Sequence, residues 1–333
     1  MKEQMLIYFL ICTVGTFALT VLFSRILIPI LKSHKMGQKI LDIGPRWHKS
    51  KEGTPTMGGI AFIFASLIVF MGILVYAIVD QRITDCFKLV VCVGFALLNG
   101  VIGFVDDYAK FFKKQNQGLK AWQKFMLQLV LAGLFLFLLR YNGNLLTTLY
   151  IPYFDFELEL GALYYVFALI LIVGIVNSVN LTDGIDGLAS SVTFVVGAFF
   201  AVAAFKYSTY ITVTIVSGMV VGATLGFLVY NFHPARVFMG DTGSLYLGGL
   251  VVALAYLIDN PLILVPVGVI YICESLSDII QVMYFKFTHG KRFFKMAPIH
   301  HHFEKCGWGE VKIVTVFSLV TLIFCVLAYF GLR

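Results

Sequence analysis

Apolar stretches of about 20 residues, each long enough to cross ~30 Å of hydrocarbon as a helix, recur along the whole of this chain. Ten are read from the sequence, at roughly 5–31, 57–79, 85–105, 122–140, 162–182, 187–205, 210–230, 243–259, 261–286 and 311–331. Inside lipid every backbone N–H and C=O must find its partner within the protein, and a helix achieves this within one segment. Composition agrees, with 59% of residues hydrophobic and 13% charged, where soluble domains carry about 25% charged residues. The expected architecture is an all-α polytopic membrane protein forming one integral-membrane domain over residues 1–333. The first apolar segment exceeds the ~7–15 residues of a signal h-region and is read as a retained span. Six cysteines form no CxxC pair and read as small hydrophobes, neither a disulfide framework nor a zinc site.

Basic residues set the expected orientation. Loops 32–56, 106–124, 231–242 and 286–312 hold 18 of the 25 Lys and Arg, whereas 141–161 has none. The positive-inside rule puts those four loops, and the one after Asn180, in the cytoplasm, with both termini outside. In the outer segment, apolar and acidic residues alternate from Tyr153 to Leu160, which predicts a small β-hairpin near 150–160. Pro261 and Pro266, with Gly268 close behind, either bend or break the ninth span or mark a simple loop entry.

Carboxylates are scarce, yet they gather at the inner mouths of the spans. Asp106 and Asp107 end the third apolar run, with Lys110 a turn later. At a membrane boundary such a pair needs compensating cations or hydrogen bonds, so a metal, phosphate or acid–base role competes with an ordinary helix end. Asn177, Asn180 and Asp183 are spaced by three and share a helix face, and glycines follow Asp183 and Asp186. Asn231, Phe238, Gly240, Asp241, Thr242 and Ser244 form a third group, read either as an N-cap near 243 or as a phosphate and Mg²⁺ site with an aromatic face for a base. His300, His301 and His302 stand in a basic loop. Three consecutive histidines do not share one helix face, so they suit hydrogen bonding to phosphate or sugar better than zinc. Lys51, Thr54 and Thr56, near Arg46 and His48, either start a span or border an anion. All five groups fall on the side that the charges place in the cytoplasm. No GxxxxGK[ST] loop or GxSxG elbow is present, which argues against an ATPase or serine hydrolase. Polar residues at span ends, with no mirrored halves, argue against a transporter.

The stretches GTPTMGG (53–59), DDYAK (106–110), NSVNLTDGIDGLA (177–189), FMGDTGSL (238–245) and APIHHHFE (297–304) resemble, in order, the polyprenyl-phosphate N-acetylhexosamine-1-phosphate transferases. The triple histidine points to their phospho-N-acetylmuramoyl-pentapeptide branch. The resemblance implies ten spans and transfer of phospho-MurNAc-pentapeptide from its UDP carrier to undecaprenyl phosphate, giving lipid I and UMP with Mg²⁺. It further implies a homodimer in the bacterial inner membrane, its active site facing the cytoplasm, with lipid and no nucleic acid as partner. By motif position, Asp241 would ligate Mg²⁺, Asp106 and Asp107 would act at the lipid phosphate, and His300 would assist catalysis. Asn180, Asp183, Asp186, Asn231 and Phe238 would border uridine and sugar, and Lys51, Gln281, His301 and His302 the rest of the pocket. Thr56, Lys110, Lys124, Asn177, Gly184, Gly240 and Ser244 complete the expected substrate-binding set. Asp278, one turn from Glu274 in the ninth span, is left without a role, although the two would share a face and a proton or cation.

Overall fold

The computed structural model describes residues 2–34, 51–80, 86–113, 117–151, 153–154, 156–207 and 211–332. Arg46, His48 and Asp155 lie outside them. Helices α1 (Lys2–Ser33), α2 (Gly59–Asp80), α3 (Cys86–Lys113) and α4 (Ala121–Tyr141) precede a hairpin of β1 (Thr148–Ile151) and β2 (Phe156–Glu159). There follow α5 (Leu163–Thr182), α6 (Leu188–Tyr207), α7 (Ile211–Asn231) and α8 (Gly240–Leu257). After a 3-10 turn at Pro261–Ile263 come α9 (Leu264–Val267), α10 (Val269–Phe287), α11 (Ile299–Lys305) and α12 (Glu310–Phe330). Among the described residues nine helices are long and apolar enough to cross a membrane, or ten if the bent α9–α10 pair counts as one.

The expected spans match these helices within a few residues, with two informative differences. The third continues past residue 105 to Lys113, because Asp106 and Asp107 meet Lys110 at i+4 and i+3 and so remain helical. The eighth starts at Gly240, with no side-chain cap. Thr242 therefore does not cap it; its hydroxyl donates to Asp107 at 2.8 Å, and Ser244 donates to the carbonyl of Gly240 at 2.9 Å. The hairpin forms, antiparallel, with Thr148 opposite Glu159. The ninth span does break: the pieces flanking Gly268 diverge by 78°. Pro266 supplies no N–H there, and a Cβ on Gly268 would stand 2.5 Å from the carbonyl of Leu264.

Helix α8 is buried from Thr242 to Leu257, against α3 and α5 above all, and also α2 and α7. In lipid, helices associate through close packing, and small residues allow the closest approach. A Cβ on Gly248 would lie 2.9 Å from the Cα of Val176, and one on Gly249 2.6 Å from that of Ala96. Helix α7 meets α1 by the same device, through Gly218, Gly222 and Gly226 on one face. The mouth of α8 is thereby held by backbone packing on several sides, and the polar site is built around that mouth.

Candidate functional site

Five segments meet at one end of the bundle: the 51–58 loop, the end of α3 with the start of α4, the α5–α6 loop, the α7–α8 loop, and the stretch from α10 to α12. Their side chains make three connected clusters.

The first lies where α3 passes α8. Asp107 Oδ2 accepts from the backbone N–H and hydroxyl of Thr242, at 2.9 and 2.8 Å. Asp106 Oδ1 accepts from the N–H of Leu119 at 2.7 Å. Both residues are buried, 5% and 4% exposed. Lys110 Nζ reaches Asp106 at 2.7 Å and Asp241 Oδ2 at 2.8 Å. Lys124 Nζ reaches Asp241 Oδ2 and Asn180 Oδ1, both at 3.1 Å. Asn180 Nδ2 donates to Asp241 Oδ1 at 2.8 Å and to Ser244 at 2.7 Å. Gly240, at φ +71°, lets the chain enter α8 in the left-handed region, and a Cβ there would stand 2.5 Å from Asp107 Oδ2 and 2.9 Å from the Thr56 hydroxyl.

Asp106, Asp107 and Asp241 bring carboxylate oxygens within 4.8 Å of one another. Hard oxygen donors in this number suit Mg²⁺, which keeps several waters and takes one or two carboxylates. Three carboxylates facing two ammonium groups leave the cluster with one unbalanced negative charge, so the donor set fits a divalent cation.

The second cluster is centred on Asp186. Its carboxylate accepts from Lys51 at 2.7 Å, from the N–H of Ala235 at 3.0 Å, and lies 3.0 Å from His233 Nδ1. Glu310, in the first turn of α12, pairs with the same Lys51 at 2.6 Å and accepts the N–H of Asp186 at 3.0 Å. Asp186, His233 and Glu310 have a metal-like spacing, and the Lys51 ammonium bridges the two acids, offsetting one of their two negative charges. Asn231 donates to the carbonyl of Val237 at 3.0 Å and accepts from Ser190 at 3.2 Å, so it braces the loop carrying Phe238. Phe238 itself, half-buried, pairs by backbone with Pro55 and Gly58, each at 2.8 Å.

The third is the histidine segment. His300 Nδ1 lies 2.9 Å from Glu274 Oε2, His301 Nδ1 2.6 Å from Glu304, and His302 Nδ1 accepts the N–H of Lys295 at 3.1 Å. Gln281 accepts from the N–H groups of Phe293 and Phe294, at 3.1 and 2.9 Å, which ties this segment to α10. The Nε2 of His300 and Oε1 of Glu274 are buried without a protein partner; an unmade bond at a buried polar atom costs about 1–3 kcal/mol. Gly184 sits directly against that Nε2, where a Cβ would overlap the ring.

Asp183, just beyond α5, stands among these clusters. Burial, then the negative charges of Asp241, Asp107 and Asp186, push its carboxyl well above the usual carboxylate range. Its ionisation therefore opposes folding at every pH above the unfolded value of about 3.9. Asp183→Asn is expected to raise the thermal midpoint near neutral pH by about 2 °C, with the gain shrinking towards pH 4. Melting curves of both proteins across pH check this.

Among the described residues of the expected substrate-binding set, Asn177 turns elsewhere: its amide bonds Gln128 on α4 at 2.7 Å. Glu310 and the Glu274–His300 pairing were not legible. Nothing local in the sequence marks Glu310, which stands in the first turn of α12, and Glu274 pairs with His300 in place of Asp278. Ser275, beside Glu274, bonds Ser178 across to α5 at 2.6 Å.

Residues 88–259 match the model of glycosyl transferase family 4. Residues 51–63 match phospho-N-acetylmuramoyl-pentapeptide-transferase signature 1, which covers the Lys51 loop. A phospho-N-acetylmuramoyl-pentapeptide-transferase of Clostridium botulinum (strain Eklund 17B / Type B) is 48% identical over 318 residues, 95% of this chain and 94% of that one. Those of Clostridium perfringens (strain 13 / Type A) and Clostridium acetobutylicum are 45% and 44% identical, over 95% of this chain and 96% of each of theirs. With both the matched segments and the site residues spread through the bundle, the chain belongs to the phospho-N-acetylmuramoyl-pentapeptide-transferase family.

Proposed function

We propose that this protein transfers phospho-MurNAc-pentapeptide from UDP-MurNAc-pentapeptide to undecaprenyl phosphate, releasing UMP and leaving lipid I, in peptidoglycan synthesis. The carrying observation is the cluster of Asp106, Asp107, Asp241, Lys110 and Lys124 at one end of a membrane bundle. It combines cations for a diphosphate with carboxylates for a metal and for the lipid phosphate.

An oxygen of the lipid phosphate attacks the β-phosphorus; the bond from that phosphorus to the bridging oxygen breaks, and UMP departs with the oxygen. Lys110 and Lys124 hold the phosphate oxygens, and Asp106 or Asp107 orients or deprotonates the lipid phosphate. Asp241 would hold Mg²⁺, with Asp106 and Asp107 near enough to share it; the bound ion would supply positive charge to offset that of the diphosphate. Asn180, Asp183, Asp186, Asn231, Phe238 and Lys51 border the nucleotide and sugar. Thr56, Gly184, Gly240, Ser244, Gln281, His301 and His302 line the remainder of the cleft, and Asn177 supports it from α5 through its bond to Gln128 on α4. A two-step route, with an aspartate attacking first, uses the same groups. UMP exchange without lipid, lost in Asp106→Ala, would select it. The protein works as a homodimer in the bacterial inner membrane, with this end and its basic loops in the cytoplasm and both termini outside.

The deciding measurement is UMP release by purified enzyme in detergent, with both substrates, with and without Mg²⁺. Lipid- and Mg²⁺-dependent UMP supports the assignment. Turnover of UDP-GlcNAc in place of UDP-MurNAc-pentapeptide would move it to the neighbouring branch, and no turnover of either would overturn it.

A further inference from the structure

Most charged side chains of the site answer one another across loops. The Glu274–His300 pair is different, because it is sealed. Glu274 is 0% and His300 1% exposed, and one carboxylate oxygen lies 2.9 Å from the ring's Nδ1. A carboxylate only accepts when ionised, so Nδ1 carries the proton in this bond. In the neutral ring Nε2 is then an acceptor with a free lone pair. That nitrogen is buried with no protein partner, and the backbone facing it is Gly184, whose missing side chain leaves room for it. Gly184 follows Asp183 in the α5–α6 loop, a few residues after Asn180, whose amide donates to Asp241. Glu274 is itself fixed: it stands in the second turn of α10, past the break at Gly268, and its neighbour Ser275 is bonded to α5.

We propose that Glu274 is the positioning residue of His300, fixing the ring with Nδ1 protonated so that Nε2 is presented as an acceptor beside the Gly184 backbone at the edge of the substrate cleft. The proposal rests on the transferase reading above. Nε2 is thereby the ring's one acceptor, held against the Gly184 backbone of the α5–α6 loop that borders the cleft, and Glu274 acts only through the ring. The same arrangement of a buried carboxylate behind an imidazole sets the reactive tautomer in other enzymes. Glu274 also receives the backbone N–H of His300, at a long 3.5 Å, so it orients the segment as well as the ring.

The test is a cycle of Glu274→Gln, His300→Asn and the double variant in the full-length enzyme, reading kcat and KM for both substrates beside thermal unfolding. Glutamine keeps the shape but not the charge. Alone, it is expected to lower kcat about 10²-fold with each KM within about threefold. In the His300→Asn background it is expected to change kcat by less than about twofold. Losses that multiply in the double variant would overturn the proposal, as would an unchanged kcat in Glu274→Gln. Should that variant not fold, ¹⁵N spectra of histidine-labelled wild-type enzyme decide. The signal missing from His300→Asn must show Nδ1 protonated and Nε2 bare, and the reverse tautomer overturns the idea. A wild-type enzyme that releases no UMP would instead sink the transferase reading, and the tautomer would still be measured on its own.

Discussion

Asp241→Asn is expected to lower kcat by about 10³-fold or more while the protein keeps its fold. One oxygen of Asp241 receives both Lys110 and Lys124, and the other receives Asn180. Asparagine preserves the shape but offers one acceptor oxygen and one N–H donor. Whichever way the amide turns, a donor faces either two ammonium groups or the Asn180 amide. The cluster loses a negative charge, and with it the ligand for the cation that offsets charge on the diphosphate. The cost to folding is smaller, since Lys110 keeps Asp106 at 2.7 Å and Asp241 lies partly open to solvent at the mouth of α8. UMP release and thermal unfolding, measured on the same preparation, separate the two effects. Activity within tenfold of wild type would remove Asp241 from the centre of the reaction.

How much of this was written in the sequence follows from the range of each interaction. The spans were legible because hydrophobicity is summed over some 20 residues and lipid leaves helices as the solution. The prolines marked a local defect that spacing alone left as either a break or a loop entry, and the 78° angle depends on what α9 and α10 pack against. The aspartates were legible because a carboxylate at a membrane boundary needs a reason to be there. Their partners were not, because these lie far along the chain: Lys110 meets Asp241, Lys51 meets both Asp186 and Glu310, and Glu274 meets His300. A helical pattern shows neighbours at three and four residues, so it set Glu274 beside Asp278, and local chemistry left a cap as one of two readings for Thr242. Tertiary packing gave both groups other partners.

Gly103→Ala is expected to disable the enzyme although Gly103 bears no functional group. On α3, its missing Cβ points at the backbone of α8. An added methyl would overlap the carbonyl of Asp241 and lie 2.6 Å from the N–H nitrogen of Thr242. Backbone cannot rotate aside as a side chain does, so the two helices must separate. Helix α8 has little freedom to retreat, because Gly243 is pressed on Gly59, Gly248 on Val176 and Gly249 on Ala96. The strain should cost about 1–3 kcal/mol, lowering the thermal midpoint by several degrees. The larger effect falls on geometry. The bonds from Thr242 to Asp107 span this same crossing, and a shift of about 1 Å between Asp107 and Asp241 is enough to lower kcat about 10²-fold. Gly94→Ala, on the same helix with nothing within 4 Å of its Cβ, is the control; it should keep full activity and gain slightly in stability from alanine's helix propensity. Equal behaviour of the two variants would mean that α8 tolerates displacement, and that its close packing against α3 does not hold the catalytic aspartates in register.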